Sequence, residues 1–558
     1  MRHPEGSSGA SPSRPPMASS ASGGAQGNKK REPPALELNL DSHVGGISVN
    51  LKGLHFVKPE TIAPELCLRD CARAVCPSGV RTVRDLLLAV ESTQRRLHSL
   101  NLFSKTASEL HCGQKDGEVC VTLHLKEERR RCNVGVNISG RGETELEASA
   151  SIPALGGTNK SLTLTAATAP MGGPSRVFSA SLFAPRLPGF IQRGAPLFSV
   201  GTVRLFSSRK DMTHYNSTAL TATGTAAELR AEDGTHAVTA SFSLRDSSPI
   251  SAASRVASPS VMLLPWRSFK HSFRYVYTRD ELDKPDAAAA ADAAPVLLPR
   301  KGYRLQAAAE AALPGGDARF LKGEIHGFAA VPLTSSRSKS HSQTHNSSAN
   351  TTPWILTGRF GLGALLTPKS APPLCLDDKF HFAGASSALR GFKPCGVGPA
   401  DQAYVIDKDR SVCTPVNDHL GGDAFFASEV CLAYDFHATY GSISTSSSEG
   451  NPSSSSDSGK RGFGGYHPRV FVFGSVGGIA NVFQHHTQLT QKDAKTVSSR
   501  MSSLFRDWRG TVGLGICFPL QRGVWLEGAL ALPVRRAATD ETERLHIGLR
   551  VTSIEVPS

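Results

Sequence analysis

From about residue 131 onward the chain reads as short runs in which apolar and polar residues alternate, broken by turn residues. Val134, Val136 and Ile138 alternate with Asn133, Gly135 and Asn137. The pattern returns in LTLTAATA from Leu162, RVFSASLFAP from Arg176, HAVTASFSLRD from His236 and RSFKHSFRYVYTRD from Arg267. It continues through FLKGEIHGFAAVPL, WILTGRFGLGALL, FFASEVCLAYDF, RVFVFGSVGGIANVF, RGTVGLGICFPL and GVWLEGALALPV, and ends in RLHIGLRVTSIEV. Period-two alternation predicts strands with one apolar and one polar face. Runs of about ten residues, repeated this often, predict an all-β transmembrane barrel. A soluble sandwich shows the same alternation in fewer strands, so periodicity alone leaves the two close. Strands this numerous close on themselves to remove their edges.

The preceding texture is different. Residues 46–128 predict one small α+β domain in the order β-α-α-β-β. GISVNLKGLHFV reads as a strand with Val49, Leu51 and Leu54 on one face. Helical stretches follow at 60–75 and 82–100, the second with Leu86, Leu87, Val90, Leu97 and Leu100 at helical spacing. Val119, Val121, Leu123 and Leu125 then mark a strand. Residues 1–45, rich in Ser, Gly, Pro and Ala, predict a disordered tail without a secretory signal. Low-complexity inserts at 283–295, 334–353 and 442–460 fall between strands and predict solvated loops within a barrel domain of 131–558. His341 and His345 share one insert, and its Ser-rich composition favours a solvated loop over a metal site.

Composition narrows the class. No apolar run approaches the ~18 residues of a spanning helix, which excludes a helical membrane protein and leaves a barrel open. The 62 Lys+Arg against 48 Asp+Glu give a net charge of +14. The basic residues are dispersed, without a stripe of interleaved aromatics, so nucleic acid is not an expected partner. Eleven cysteines without a CxxC pair indicate neither a zinc site nor a disulfide framework. Cys67, Cys71 and Cys76 fit a helix, and Cys395 and Cys413 flank a loop where they are either paired or free. No Walker loop, nucleophile elbow, HExxH or dinucleotide fingerprint is present, and Asp377-Asp378 reads as a turn; the chain is not expected to be an enzyme, to bind a metal or to need a cofactor.

The most specific stretch is DDKFHFAGASSALRGFKPCGVGP, residues 377–399, with Leu389, Arg390, Gly391 and Phe392 at its centre. Together with Phe380, Gly384, the strand start Leu420-Gly421-Gly422 and Glu429, it resembles the hallmark loop of the outer-membrane β-barrel assembly (bacterial surface antigen) superfamily. RYVYTRDELDKP, the run from Pro299 to Lys322, the hairpin 508–534 and the ending RLHIGLRVTSI are similar to further segments of that superfamily, in the same order. The resemblance covers about 46–556 and implies about 16 antiparallel strands. It also implies that 46–128 is a polypeptide-transport-associated (POTRA) domain. A single such domain favours the mitochondrial sorting and assembly machinery (SAM) channel subunit.

What the resemblance implies is assembly and insertion of other β-barrels in the mitochondrial outer membrane. Expected partners are the lipid bilayer, β-barrel precursor proteins and accessory subunits of a SAM-type complex. The alternatives are a plastid-type import channel of the same superfamily and, further off, a solute porin. Arg390 is expected to fix the loop in the lumen. Where many members carry Asp or Asn this chain has Ser475, so the partner of Arg390 is left among Ser475, Glu429 and Glu527. Weak pairing between strand one (Val134, Gly135, Val136, Ile138, Gly140) and the last strand (His546, Gly548, Val551) would open a lateral seam. The glycines either weaken that seam or ease the curvature of the barrel.

Overall fold

The computed structural model describes residues 41–66, 82–112, 118–138, 144–168, 175–187, 198–249, 255–283, 299–333, 353–368, 370–382, 388–407, 412–436, 468–483, 497–521 and 524–551. The expectations for Cys67, Cys71, Cys76, Gly140, His341, His345, most of the tail and nearly all of the inserts lie outside these residues.

The N-terminal module contains β1 (Gly46–Lys52), α1 (Pro59–Ile62), α2 (Val83–Ser99), β2 (Phe103–Cys112) and β3 (Glu118–Glu127). β3 is central, parallel to β1 and antiparallel to β2. Thr82 starts α2 with a reciprocal cap to Asp85, an arrangement that satisfies two end amides. Leu86, Val90 and Leu97 then fall on the face that packs against Val121, Leu123 and Leu125. Burying each such side chain contributes about 1.5–3 kcal/mol. His43 bridges to Thr82 and Val44 is buried, so Asp41–Gly45 belong to the module rather than to the tail.

The barrel strands are β4 (Arg131–Ile138), β5 (Thr144–Ile152), β6 (Ser161–Thr168), β7 (Arg176–Ala184), β8 (Val200–Asp211), β9 (Thr218–Arg230) and β10 (His236–Pro249). After β11 (Arg255–Val256), which belongs to another sheet, come β12 (Arg267–Asp280), β13 (Gly302–Ala312), β14 (Phe320–Pro332) and β15 (Trp354–Leu366). β16 (Ala400–Asp407) and β17 (Val412–His419) pair with each other and, through β16, with β11. The barrel resumes with β18 (Ala424–Asp435), β19 (Arg469–Ala480), β20 (Arg509–Gln521), β21 (Val524–Arg535) and β22 (Leu545–Val551). Sixteen strands form one sheet in sequential order, every neighbour antiparallel, with β4 at one edge and β22 at the other. Among the described residues the last ladder runs to Val551 and the first to Ile138; the remainder of the expected runs Leu545–Val556 and Arg131–Gly140 lies outside them.

Alternation assigns the faces. On β19, Phe471, Phe473 and Ser475 are buried while Val470 and Val472 are exposed. Val512, Leu514, Leu530, Leu532, Leu545 and Ile547 continue the outer band on β20 to β22. A continuous apolar band of this extent belongs in a bilayer, not in water. All four tryptophans stand at strand ends: Trp266 and Trp508 just before β12 and β20 on one rim, Trp354 and Trp525 at the starts of β15 and β21 on the other. Aromatic residues favour the two membrane–water interfaces. No helix among the described residues is long and apolar enough to cross a membrane.

Because the strands alternate in direction, the β5–β6, β12–β13, β14–β15 and β18–β19 connections share the rim that carries the module. The three low-complexity inserts fall in the last three of these. The β11/β16/β17 sheet lies on the opposite rim. There the fully buried Asp418 accepts from Ser217 Oγ (2.5 Å), Arg255 Nη2 (2.9 Å) and the Ser258 amide (2.8 Å).

Candidate functional site in the barrel lumen

The connection from β15 to β18 runs inside the barrel. Asp378 closes a short turn, Leu376–Asp378, as the sequence implied, but it is also ion-paired. Arg245 Nη1 of β10 donates to both its oxygens at 2.8 Å, and Lys270 Nζ of β12 reaches it at 2.9 Å. Further along, Phe380, Phe382, Leu389, Phe392 and Val397 pack against Leu365, Ala427 and Ile479. A segment that touches strands from β10 round to β22 is encircled by the sheet.

Arg390 is 2% exposed. Its guanidinium lies between two carboxylates: Nε donates to Glu429 Oε2 of β18, Nη1 to Glu527 Oε1 of β21, and Nη2 to Glu429 Oε1 at 3.4 Å. The faces of Phe471 and Phe473 lie 5.3 and 5.0 Å from its Cζ, within cation–π range. Both acids that the sequence left as alternatives therefore hold the arginine. Ser475 does something else. Its hydroxyl accepts from the Arg390 amide (3.4 Å) and bonds Thr511 Oγ1 (2.5 Å). The register aligns part of the site: Arg359, Glu429, Ser475 and Thr511 stand in one row across β15, β18, β19 and β20, while Glu527 lies outside that row, opposite Cys517. Arg359 Nε lies 3.9 Å from Glu429.

The residues after Arg390 grip the final hairpin. The Gly391 amide donates to His546 Nε2 of β22 at 2.8 Å, so that nitrogen is unprotonated. The Glu543 amide donates to the Gly391 carbonyl (3.1 Å), Phe392 bridges to Thr542, and the Lys393 amide donates to the Glu541 carbonyl (3.0 Å). Gly391 has φ +87°, and a Cβ there would meet Thr511 Cγ2 at 2.7 Å, so no other residue fits. His419 at 3.8 Å and Lys393 at 3.1 Å hold the Glu541 carboxyl well below its usual range, at about 2. Sequence reasoning placed His546 at the seam; its ring points inward and joins that strand to the loop. Leu389 and Phe392 form the plug, and Val134 faces outward, 75% exposed. Gly135, Val136 and Ile138 lie in β4, and Gly548 and Val551 in β22. No ladder joins β4 to β22 among the described residues.

Cys395, buried, and Cys413, exposed, are not joined by a disulfide. Among the described residues no cluster of His, Cys, Asp or Glu could hold a metal ion. The site offers a charge clamp and backbone groups.

A 16-strand barrel with an apolar outer band and a lumen plug defines an integral membrane β-barrel protein. The Omp85 superfamily domain matches residues 137–550, and the chain belongs to that superfamily. It is 27% identical over 418 residues to a SAM50-like protein of Schizosaccharomyces pombe, spanning 72% of this chain and 74% of the relative. The fold is similar to that of BamA from Haemophilus ducreyi lacking POTRA domains 1–3, with a TM-score of 0.60 at 15% identity, over 90% of this chain and 84% of the other.

Proposed function

We propose that this protein inserts β-barrel precursors into the mitochondrial outer membrane by templated strand pairing at the seam between β4 and β22. The observation that carries the reading is an asymmetry. Among the described residues β22 is tied to the lumen loop through His546 and the turn before it, whereas β4 pairs only with β5, over eight residue pairs. The fixed edge is β22 and the moving edge is β4. When they part, unpaired backbone groups face a lipid interior where each unsatisfied group costs several kcal/mol. An incoming strand satisfies them by β-augmentation. Arg390, clamped to β18 and β21, keeps the fixed edge in register while the other moves. The N-terminal module, with its β-α-α-β-β order, acts in this reading as a POTRA domain that meets precursors. The likeness to a SAM50-like protein supports the mitochondrial setting and accessory subunits of a SAM-type complex.

The test uses organelles from cells depleted of this protein. Radiolabelled mitochondrial porin precursor is imported beside a matrix-targeted control, and assembled porin is scored on a native gel. Loss of assembled porin with the control intact is the expected result. Normal assembly would overturn the proposal.

A further inference from the structure

We infer that the rim joining the N-terminal module to the barrel is a binding site for the headgroups of anionic phospholipids, with Phe56 as its interfacial anchor. α2 covers one face of the module's sheet. On the other face, Lys52 of β1, Lys105 of β2 and His124 and Lys126 of β3 line a cavity of about 310 Å³. The register sets them side by side, Lys52 opposite His124 and Lys105 opposite Lys126. Arg129 and Arg130 follow at once, and β4 enters the membrane at Arg131. Five residues of extended chain span at most about 17 Å, so the lysines stand close to the bilayer surface.

The nearby acids are already engaged: Glu109, on the same face, lies 3.1 Å from His124 and 3.4 Å from His111. Glu127 accepts from the amides of His55 (2.9 Å), Phe56 (2.9 and 3.0 Å) and Val57 (2.8 Å), and Glu128 pairs with Arg131. Lys52, Lys105, Lys126, Arg129 and Arg130 have no ion-pair partner among the described residues. Five cations without counter-charge, beside a membrane, complement a negatively charged leaflet.

Phe56 gives the patch its direction. It is 78% exposed, although three amides on one carboxylate hold its loop rigidly. The same loop is fastened to the barrel rim, where the Gly157 carbonyl of the β5–β6 turn accepts from the Lys58 amide and from Thr61 Oγ1, both at 3.1 Å. An exposed aromatic ring so fixed at a barrel rim belongs at the membrane–water interface.

The experiment places a photo-cross-linker in the full chain, Phe56→p-benzoylphenylalanine, reconstituted in phosphatidylcholine vesicles containing about one fifth phosphatidylserine. Phosphatidylserine is expected in the adduct several-fold above its share of the bilayer. The preference should fall about fivefold for each of Lys52→Gln, Lys105→Gln and Lys126→Gln, and should weaken in salt raised from about 50 mM to about 500 mM. The variants' heat-modifiable migration on gels verifies that their barrels are folded. Adducts of both lipids in proportion to their abundance, or no lipid adduct, would overturn the inference. So would loss of the preference to competing inorganic phosphate, which would mark a free-anion site, or adducts formed only with an added barrel precursor, which would mark a precursor surface.

Discussion

At the scale of single residues the decisive feature is a cation shared by two acids. Removing one partner of a buried ion pair costs about 3–5 kcal/mol, because the remaining charges stay buried and unpaired. Arg390→Ala leaves Glu429 and Glu527 facing one another, so it should lower the barrel's unfolding temperature while still allowing insertion, and reduce precursor assembly. Arg390→Met combined with Glu429→Gln and Glu527→Gln removes all three charges. Thermal unfolding in detergent should then recover most of the lost stability, while assembly of labelled precursor stays low. Recovery of assembly together with stability would make the clamp purely structural. The clamp was only partly legible in the sequence. LRGF marks the arginine, but its acids stand 39 and 137 residues away, and only the folded barrel brings them to one point. The same distance hid the bond from Gly391 to His546, 155 residues apart.

At the scale of elements, legibility followed side-chain size. β19 and β20 place Val470, Val472, Val512 and Leu514 outward, and bulky alternating residues disclose a strand. β5, β9 and β13 escaped direct reading because Ala, Thr and Ser fill much of TELEASASI, TALTATGTAAELR and YRLQAAAEAA, which weakens the contrast between faces. The β16/β17 hairpin was not expected at all; its Asp401, Gln402 and Asn417 read as loop because the pairing lies outside the barrel sheet. The edge strands differ in how they are held, and this carries a prediction. Amides of β4 should exchange with deuterium much faster than those of β19 to β21 in the reconstituted protein, and β22 should fall between them. Equal protection of β4 and β22 would argue against β4 as the moving edge. Exchange reports local opening free energy, which one-sided pairing lowers.

At the scale of the whole molecule the two rims have different characters. One carries the β11/β16/β17 sheet around Asp418, with its three bonds to Ser217, Arg255 and Ser258. The other carries the module and the connections that hold every low-complexity insert. Long loops add little closure cost, about 0.6 kcal/mol per doubling of length, so this rim tolerates variation in length. Shortening residues 334–352 and 442–460 to brief Gly-Ser turns should leave unfolding temperature and porin assembly within error of the parent. A loss of assembly at unchanged stability would instead assign those inserts a role in handling precursors.

The bonds between the lumen loop and the last hairpin also give the molecule a mechanical polarity. A pull on the chain ahead of β4 meets one ladder at a time, so strands peel away singly at modest force. A pull beyond β22 must break the β21 ladder, the Gly391–His546 bond and the backbone bonds at Glu541 and Glu543 together. One end of the barrel works as a zip and the other as an anchorage.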